Sequence, residues 1–222
     1  MNIGLIGIVT VKDFEKSKKR LARRVGLRER AELVRAMFED VVEELSKIVD
    51  RVIIVTPSTR IGEYYSKWSK CDVLLDEGVG RVEAIRKAID YIEKTYPSAE
   101  SIIITVADIP CASSKDFQEM VSLAEKYVKA IVLSPARDWG TNIILLKPPN
   151  VIKPVFGVGS FWVNLAKAIE RGIAVRVYSK NTVRVDLDYP EDLEEALRIG
   201  CNPRTRLVLM RILGKINNNE TT

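Results

Sequence analysis

The chain has 222 residues, 46% of them hydrophobic, and carries 35 lysines and arginines against 30 aspartates and glutamates. That is enough apolar material for one sizeable core, and a net charge of +5 is modest for a protein whose task is to neutralise nucleic acid. Histidine is absent, which excludes Ser-His and Cys-His nucleophile pairs, histidine general bases and histidine metal ligands, so any metal must be held by oxygen.

In chain order, short apolar runs alternate with stretches of helical period. Ile3–Val9, Arg51–Thr56, Asp72–Asp76, Ser101–Asp108 and Ala130–Ala136 are nearly continuous in apolar character, as expected of strands covered on both faces. Leu33, Val34, Met37, Phe38, Val41, Val42 and Leu45 recur at three- and four-residue spacing and line one face of a helix. "VEAIRKAIDYI" and "KDFQEMVSLAEKY" repeat the pattern. Strand-helix-strand alternation of this kind implies a doubly wound, three-layer α/β/α domain with a mainly parallel sheet. "TNIILLKPP", a helix from about Ser160 to Glu170, "AVRVYS" and "TVRVDLD" follow, and antiparallel strands are expected to join the sheet there. Residues 1–200 form the expected domain. Beyond them lie an amphipathic helix, "RTRLVLMRILGKI", and a polar end, "NNNETT", expected to be disordered. Cys71, Cys111 and Cys201 form no C-x-x-C pair, so neither a zinc knot nor a disulfide framework is suggested. With no apolar stretch near the roughly 20 residues of a membrane span and no signal-peptide pattern, the expectation is a soluble cytoplasmic protein.

Ligands of open α/β sheets bind beyond the carboxyl ends of the strands, so the informative residues follow each strand. After the first come Lys12, Lys18, Lys19 and Arg20. Neither a P-loop nor a G-x-G-x-x-G turn is present, and phosphate binding there would rest on side-chain cations; a solvated basic face, to which Lys16, Arg23 and Arg24 are assigned, is the alternative. Asp108 ends a buried strand and is either a metal ligand or a helix cap, but Ser113 and Asp116 already supply a capping box. Asp186 and Asp188 stand at alternate positions of the expected strand "TVRVDLD" and so share a face. Asp188 could instead cap the helix at Pro190, whereas Asp186 has no such role. Brought to one sheet edge, the three carboxylates could hold magnesium, whose shell phosphate and water complete. Gly157, Gly159 and Ser160 precede a helix and either present N–H groups and a hydroxyl to an anion or form a serine-capped glycine turn.

These stretches resemble the 2-phospho-L-lactate guanylyltransferase family (CofC/FbiD type) of coenzyme F(420) biosynthesis. The resemblance runs from Ile3 to about Leu197 and rests on Thr10-Val11-Lys12, Ser17-Lys18-Lys19-Arg20-Leu21, the A-D-I-P of Ala107–Pro110, the G-T-N of Gly140–Asn142, Phe156–Phe161, and the D-L-D-Y-P-E-D-L of Asp186–Leu193. It implies a GT-A-like nucleotidyltransferase domain, often dimeric, that joins GMP from GTP to 2-phospho-L-lactate, phosphoenolpyruvate or a phosphoglycerate and releases diphosphate. By that analogy Asp108, Asp186 and Asp188 are the metal and catalytic acids. Lys12, Lys18 and Arg20 stabilise the departing diphosphate. Thr141, Asn142, Gly157, Gly159 and Ser160 hold the acceptor, and Gly78, Gly80 and Glu83 hold the nucleotide. Where the family has G-L-N-x-A-L this chain has "GRVEAI", with Val82 and Glu83 at the Leu and Asn positions. That departure leaves open a cytidylyl-, uridylyl- or molybdopterin-type transferase, and the basic N-terminal stretch leaves open a non-catalytic nucleotide- or RNA-binding relative.

Overall fold

The computed structural model describes residues 4–220, the last four by backbone alone. Its centre is a seven-stranded sheet of order β3-β2-β1-β4-β6-β5-β7, made by β1 (Leu5–Thr10), β2 (Arg51–Thr56), β3 (Cys71–Leu75), β4 (Ser101–Thr105), β5 (Ala130–Pro135), β6 (Thr141–Lys147) and β7 (Ala174–Val177). The helices are α1 (Leu27–Ser46), α2 (Thr59–Tyr65), α3 (Arg81–Thr95), α4 (Ser114–Ala124), α5 (Ser160–Glu170), the single turn α6 (Asn181–Arg184), α7 (Pro190–Ile199) and α8 (Pro203–Glu220). β1, β2, β3 and β4 run parallel, and β6 is antiparallel to both β4 and β5. The three-layer, mainly parallel architecture expected from the sequence is the one observed.

Alternate strand residues feed two apolar layers. Val9, Ile54, Ile103 and Val132 pack with α1, α4 and α8 on one face, and Ile8, Ile53, Ile104 and Leu133 pack with α3 and α5 on the other. The anticipated face of α1 is buried at every position from Leu33 to Leu45 on its apolar stripe, and it lies so close to β1 that a Cβ on Gly7 would come within 2.5 Å of Leu45. Only glycine allows that approach.

Two expectations need correcting. β7, the "AVRVYS" run, pairs parallel with β5. "TVRVDLD" is not a strand: it is α6 followed by an extended segment that joins no ladder. Val183 in α6 and Val185 and Leu187 on the extended segment are nevertheless all buried, so the apolar alternation that suggested a strand reports burial of one side of the chain and not sheet pairing. The C-terminal helix runs into the polar end expected to be unstructured, through residue 220, while residues 221 and 222 lie outside the described residues, as does Ile3 of the first expected strand. Val208, Leu209 and Ile212 of α8 share the core of residues 1–200. α8 is anchored by Asp40 of α1, 2% exposed, whose Oδ2 accepts from Thr205 N at 2.8 Å and whose Oδ1 accepts from Arg204 N at 3.3 Å. A buried carboxylate thus satisfies the N–H groups that a helix start leaves without intrahelical partners.

Candidate active site

Beyond β1 the chain makes a 3-10 turn at Phe14–Lys16, capped by Asp13, and a second at Lys19–Arg23. Between them Lys18 takes a left-handed backbone conformation, φ 53°, which costs a residue with a Cβ of order 1 kcal/mol. The strained turn aims the side chain inward. The Lys18 ammonium donates to Asp108 Oδ2 and to Asp188 Oδ1, each at 2.6 Å, and the Lys18 side chain is only 7% exposed. Burial alone would lower the pKa of this amine, but the two carboxylates outweigh it and hold it above its ordinary value. Asp108 is the mirror case: burial works to raise its pKa, yet Lys18 and then Arg81 hold it below the usual carboxylate range.

Asp186 has no such ion-pair partner among the described residues. Burial, and next the charge of Asp108, push its pKa up to about 6. The extended segment carrying it is held in place by two contacts. Leu187 N donates to Asp108 O at 3.0 Å, and Asn142 Nδ2 donates to Val183 O and Arg184 O at 3.0 and 3.2 Å. Asn142, expected to touch the acceptor, spends its amide N–H groups on these two carbonyls and so helps to position the segment that carries the aspartates. Asp188 does not cap α7. Asp192 reaches back to the Asp188 and Tyr189 N–H groups at 2.9 and 2.7 Å, leaving the Asp188 carboxylate to Lys18 and, at 3.1 Å, to Arg20. Arg20 also stacks over the Tyr189 ring, 5.0 Å from its centroid.

In front of these groups opens a cavity of about 270 Å³, lined by Lys12, Lys16, Lys18, Arg81, Asp108 and Asp188, with Val34, Met37, Val55 and Ala84 as apolar wall. Lys16, expected on a solvated face, lines it, and Arg20 does not. Among the described residues Lys12, Lys16 and Arg81 make no ion pair, so three cations without a salt-bridge partner face this space. Arg81 went unread in the sequence, although an arginine opening a helix directly behind G-x-G was the available signal. Gly78 and Gly80 line the cavity with φ of 70° and 152°, conformations for which glycine is suited. Glu83 does not line it, being exposed on α3 and paired to Arg86. A larger hollow, about 750 Å³, lies between α1, α2 and α8, but its charges are largely matched within the protein, Arg211 to Glu32 and Lys215 to Glu29.

On the other side of Asp108, β6 begins at Thr141, with Val106 N donating to Asn142 O across the β4–β6 edge. Ser160 Oγ donates to Thr141 Oγ1 at 3.0 Å and Asn164 Nδ2 does so at 3.2 Å. All three residues are buried. Ser160 is the first residue of α5 and not its cap, since Gly159 precedes it with φ 72°. Thr141, Gly157, Gly159 and Ser160 are together at the start of α5 and outside the cationic cavity. Trp139, in a left-handed conformation at φ 60°, stacks on Trp162 with ring centroids 5.0 Å apart, and both are half-exposed, while Phe161 is buried.

With no histidine in the chain, a metal here would be held by oxygen, the donor that magnesium takes. No group of three acidic or cysteine side chains close enough to share a metal occurs among the described residues, because the cation between Asp108 and Asp188 is the Lys18 ammonium. The chemistry of Asp108 and Asp186 does fit: Asp186 makes no ion pair among the described residues, and Lys18 engages only Oδ2 of Asp108, so both residues have carboxylate oxygens to offer. Magnesium commonly takes one or two carboxylates and completes its shell with phosphate and water.

A mainly parallel sheet opens, beyond the carboxyl ends of its parallel strands, onto a cation-lined cavity ending in aspartates, a place suited to a phosphorylated ligand. The fold agrees with a crystal structure described as a nucleotide-diphospho-sugar transferase from Desulfovibrio desulfuricans, with TM-score 0.81 at 18% identity over 96% of this chain and 97% of that one. Residues 5–222 match the family described as guanylyl transferase CofC like, and the chain belongs to that family. It is 34% identical to a phosphoenolpyruvate guanylyltransferase of Sphaerobacter thermophilus over 86% of this chain and 91% of the relative. It is 31% identical to a 2-phospho-L-lactate guanylyltransferase of Methanothermobacter thermautotrophicus over 92% and 89%.

Proposed function

We propose that the protein transfers GMP from GTP to the phosphate of a small phosphorylated carboxylic acid, 2-phospho-L-lactate or phosphoenolpyruvate, and releases diphosphate, within the assembly of coenzyme F(420). The observation that carries this reading is the row of unpaired cations, Lys12, Lys16 and Arg81, leading to the Lys18–Asp108–Asp188 cluster. Triphosphate lies along the cations. Its α-phosphate meets Asp108, and the acceptor comes from the Thr141–Ser160 side. The acceptor phosphate oxygen forms a bond to the α-phosphorus as the bond from that phosphorus to the bridging oxygen of diphosphate breaks. A phosphate is already ionised at neutral pH, so a chain without histidine needs no general base; positioning and charge neutralisation supply the rate. Lys12, Lys16 and Arg81 bear the charge that builds on the leaving diphosphate. Lys18 keeps Asp108 ionised and holds both Asp108 and Asp188 in place. Asp108 and Asp186 would hold magnesium, which when bound would supply positive charge to neutralise the phosphate oxygens.

The test is diphosphate release on mixing protein, magnesium and GTP with 2-phospho-L-lactate, phosphoenolpyruvate or phosphoglycerate. Release that needs both GTP and one of these acids is the expected result, and no release with any of them overturns the proposal. The homodimer implied by the family resemblance would cover the exposed apolar side chains around the start of α5, Trp139, Val158, Trp162 and Val163, and sedimentation velocity reads it.

A further inference from the structure

Asp76 is the one acid in the cavity that the cluster around Lys18 does not use. It directly follows β3 and continues its register, with Asp76 N donating to Thr56 O at 3.1 Å. Asp76 is among the residues that line the cavity. Its Oδ1 is buried and accepts no hydrogen bond among the described residues, although Lys12, Lys16 and Arg81 line the same space unpaired. A buried carboxylate oxygen without a donor is costly, and an acid near a triphosphate site repels the ligand unless the ligand itself brings N–H or O–H groups to it.

The sheet order decides which part of a nucleotide can do so. The α-phosphate belongs beside Asp108, after β4, and the order β4-β1-β2-β3 puts Asp76 three strand spacings away, about 14 Å across the sheet edge. That is beyond the ribose of a nucleotide so anchored and within reach of the far edge of a purine. The approach is open there: Gly78 and Gly80 leave the loop without side chains, and a Cβ on Gly80 would meet nothing within 4 Å. Val55 and Ala84 supply apolar wall for the ring face. Of the four common bases only guanine carries two adjacent donors, N1–H and N2–H, that match both oxygens of a carboxylate. Adenine and cytosine pair a donor with an acceptor, and uracil has a single donor between carbonyls.

Resting on the guanylyl-transfer reading above, we infer that Asp76 reads the donor base, accepting from guanine N1–H and N2–H and so selecting GTP. This residue lies outside the altered "GRVEAI" segment, and base choice therefore does not depend on Val82 and Glu83.

The experiment is titration calorimetry of the intact protein with magnesium and GTP, ITP or XTP, alone and as Asp76→Asn, with diphosphate release measured in parallel. ITP lacks the 2-amino group and XTP carries a carbonyl in its place. The wild type is expected to bind ITP about 10-fold and XTP about 100-fold more weakly than GTP, the discrimination typical of a bidentate contact left unpaired. Asp76→Asn, whose amide can donate to the xanthine carbonyl while its oxygen accepts from N1–H, is expected to reverse the order and bind XTP more tightly than GTP. A wild type that does not distinguish GTP from ITP overturns the inference, as does an Asn variant that loses all three nucleotides equally, which marks a ribose contact or a structural role. Thermal unfolding of Asp76→Asn without nucleotide, expected within a few degrees of wild type, separates a misfolded variant from a changed site, and Asp76→Ala then serves as the second variant, expected to lose the preference for GTP over ITP. If the wild type discriminates the bases as expected but releases no diphosphate with any acid, the transfer reaction falls and the base-reading role of Asp76 stands.

Discussion

Lys18→Met removes the ammonium while keeping most of the aliphatic stem, and it tests whether this residue is the internal counter-ion of the site. The ammonium lies 2.6 Å from each of two carboxylates, behind a side chain 7% exposed. Breaking a buried pair by deleting one partner typically costs 3–5 kcal/mol. The Asp108 and Asp188 side chains are 25% and 32% exposed and Asp188 keeps Arg20, so partial solvation reduces the expected loss to about 2–3 kcal/mol. For a chain of this length that corresponds to roughly 4–12 °C in Tm. The pH dependence carries the sign. Lys18 is raised from 10.5, so its contribution is complete below that value and fades as pH rises above it; Asp108 is lowered from 3.8, so its contribution is complete above that value and fades at more acid pH. In wild type the pair is therefore constant across pH 5–8. In Lys18→Met the carboxylates face one another without the cation and gain relief by taking up protons, so the deficit is largest at pH 8 and shrinks toward pH 5. Urea unfolding followed by circular dichroism at both pH values measures it. A variant as stable as wild type at pH 8, or a deficit equal at pH 8 and 5, refutes the reasoning.

Three further outcomes are expected. Asp186, pushed up to about 6 mainly by burial and by Asp108, binds its proton more readily folded than unfolded between about pH 4 and 6, so it lowers stability as pH rises through that window; Asp186→Asn should be about 1–3 kcal/mol more stable than wild type at pH 8 by urea unfolding, lose this advantage below pH 4, and show neither turnover nor stabilisation by magnesium. Arg81→Gln, altering an exposed side chain without an ion pair among the described residues, should unfold within about 0.5 kcal/mol of wild type while steady-state kinetics show kcat/KM for GTP reduced at least 10-fold. Asp40→Ala removes the acceptor for two α8 N–H groups and should cost about 2 kcal/mol, with limited proteolysis cutting at residues 200–203 before the remaining domain unfolds.

Much of the site was legible because each piece is local. A cationic run behind a first strand, an aspartate ending a buried strand, and two aspartates alternating on an extended chain are patterns of neighbouring residues, and all three meet in the structure. What each residue does once there depends on chain geometry far from it. Lys18 became the counter-ion of Asp108 and Asp188 because a left-handed residue between two 3-10 turns directs it inward, while Lys16, read as solvated, was carried to the cavity wall by the same turn. Asn142 sits inside an expected acceptor motif, yet its amide is spent on the carbonyls of residues 183 and 184, a partnership across some 40 residues that no local pattern reveals.

The sequence by itself determined the layered α/β fold, the family and the set of acids and bases, since apolar periodicity sets which faces are buried and short motifs survive in linear order. The tertiary structure decided the rest: that β7 runs parallel to β5, that an alternating run pairs with no strand, that two of three aspartates are neutralised by an internal lysine, and that Arg81 and Asp76 face the same cavity as Lys12. The physical reason is that burial is a property of each residue's own polarity, whereas partnership in charge and hydrogen bonding is set by which distant segments the sheet order brings to one edge.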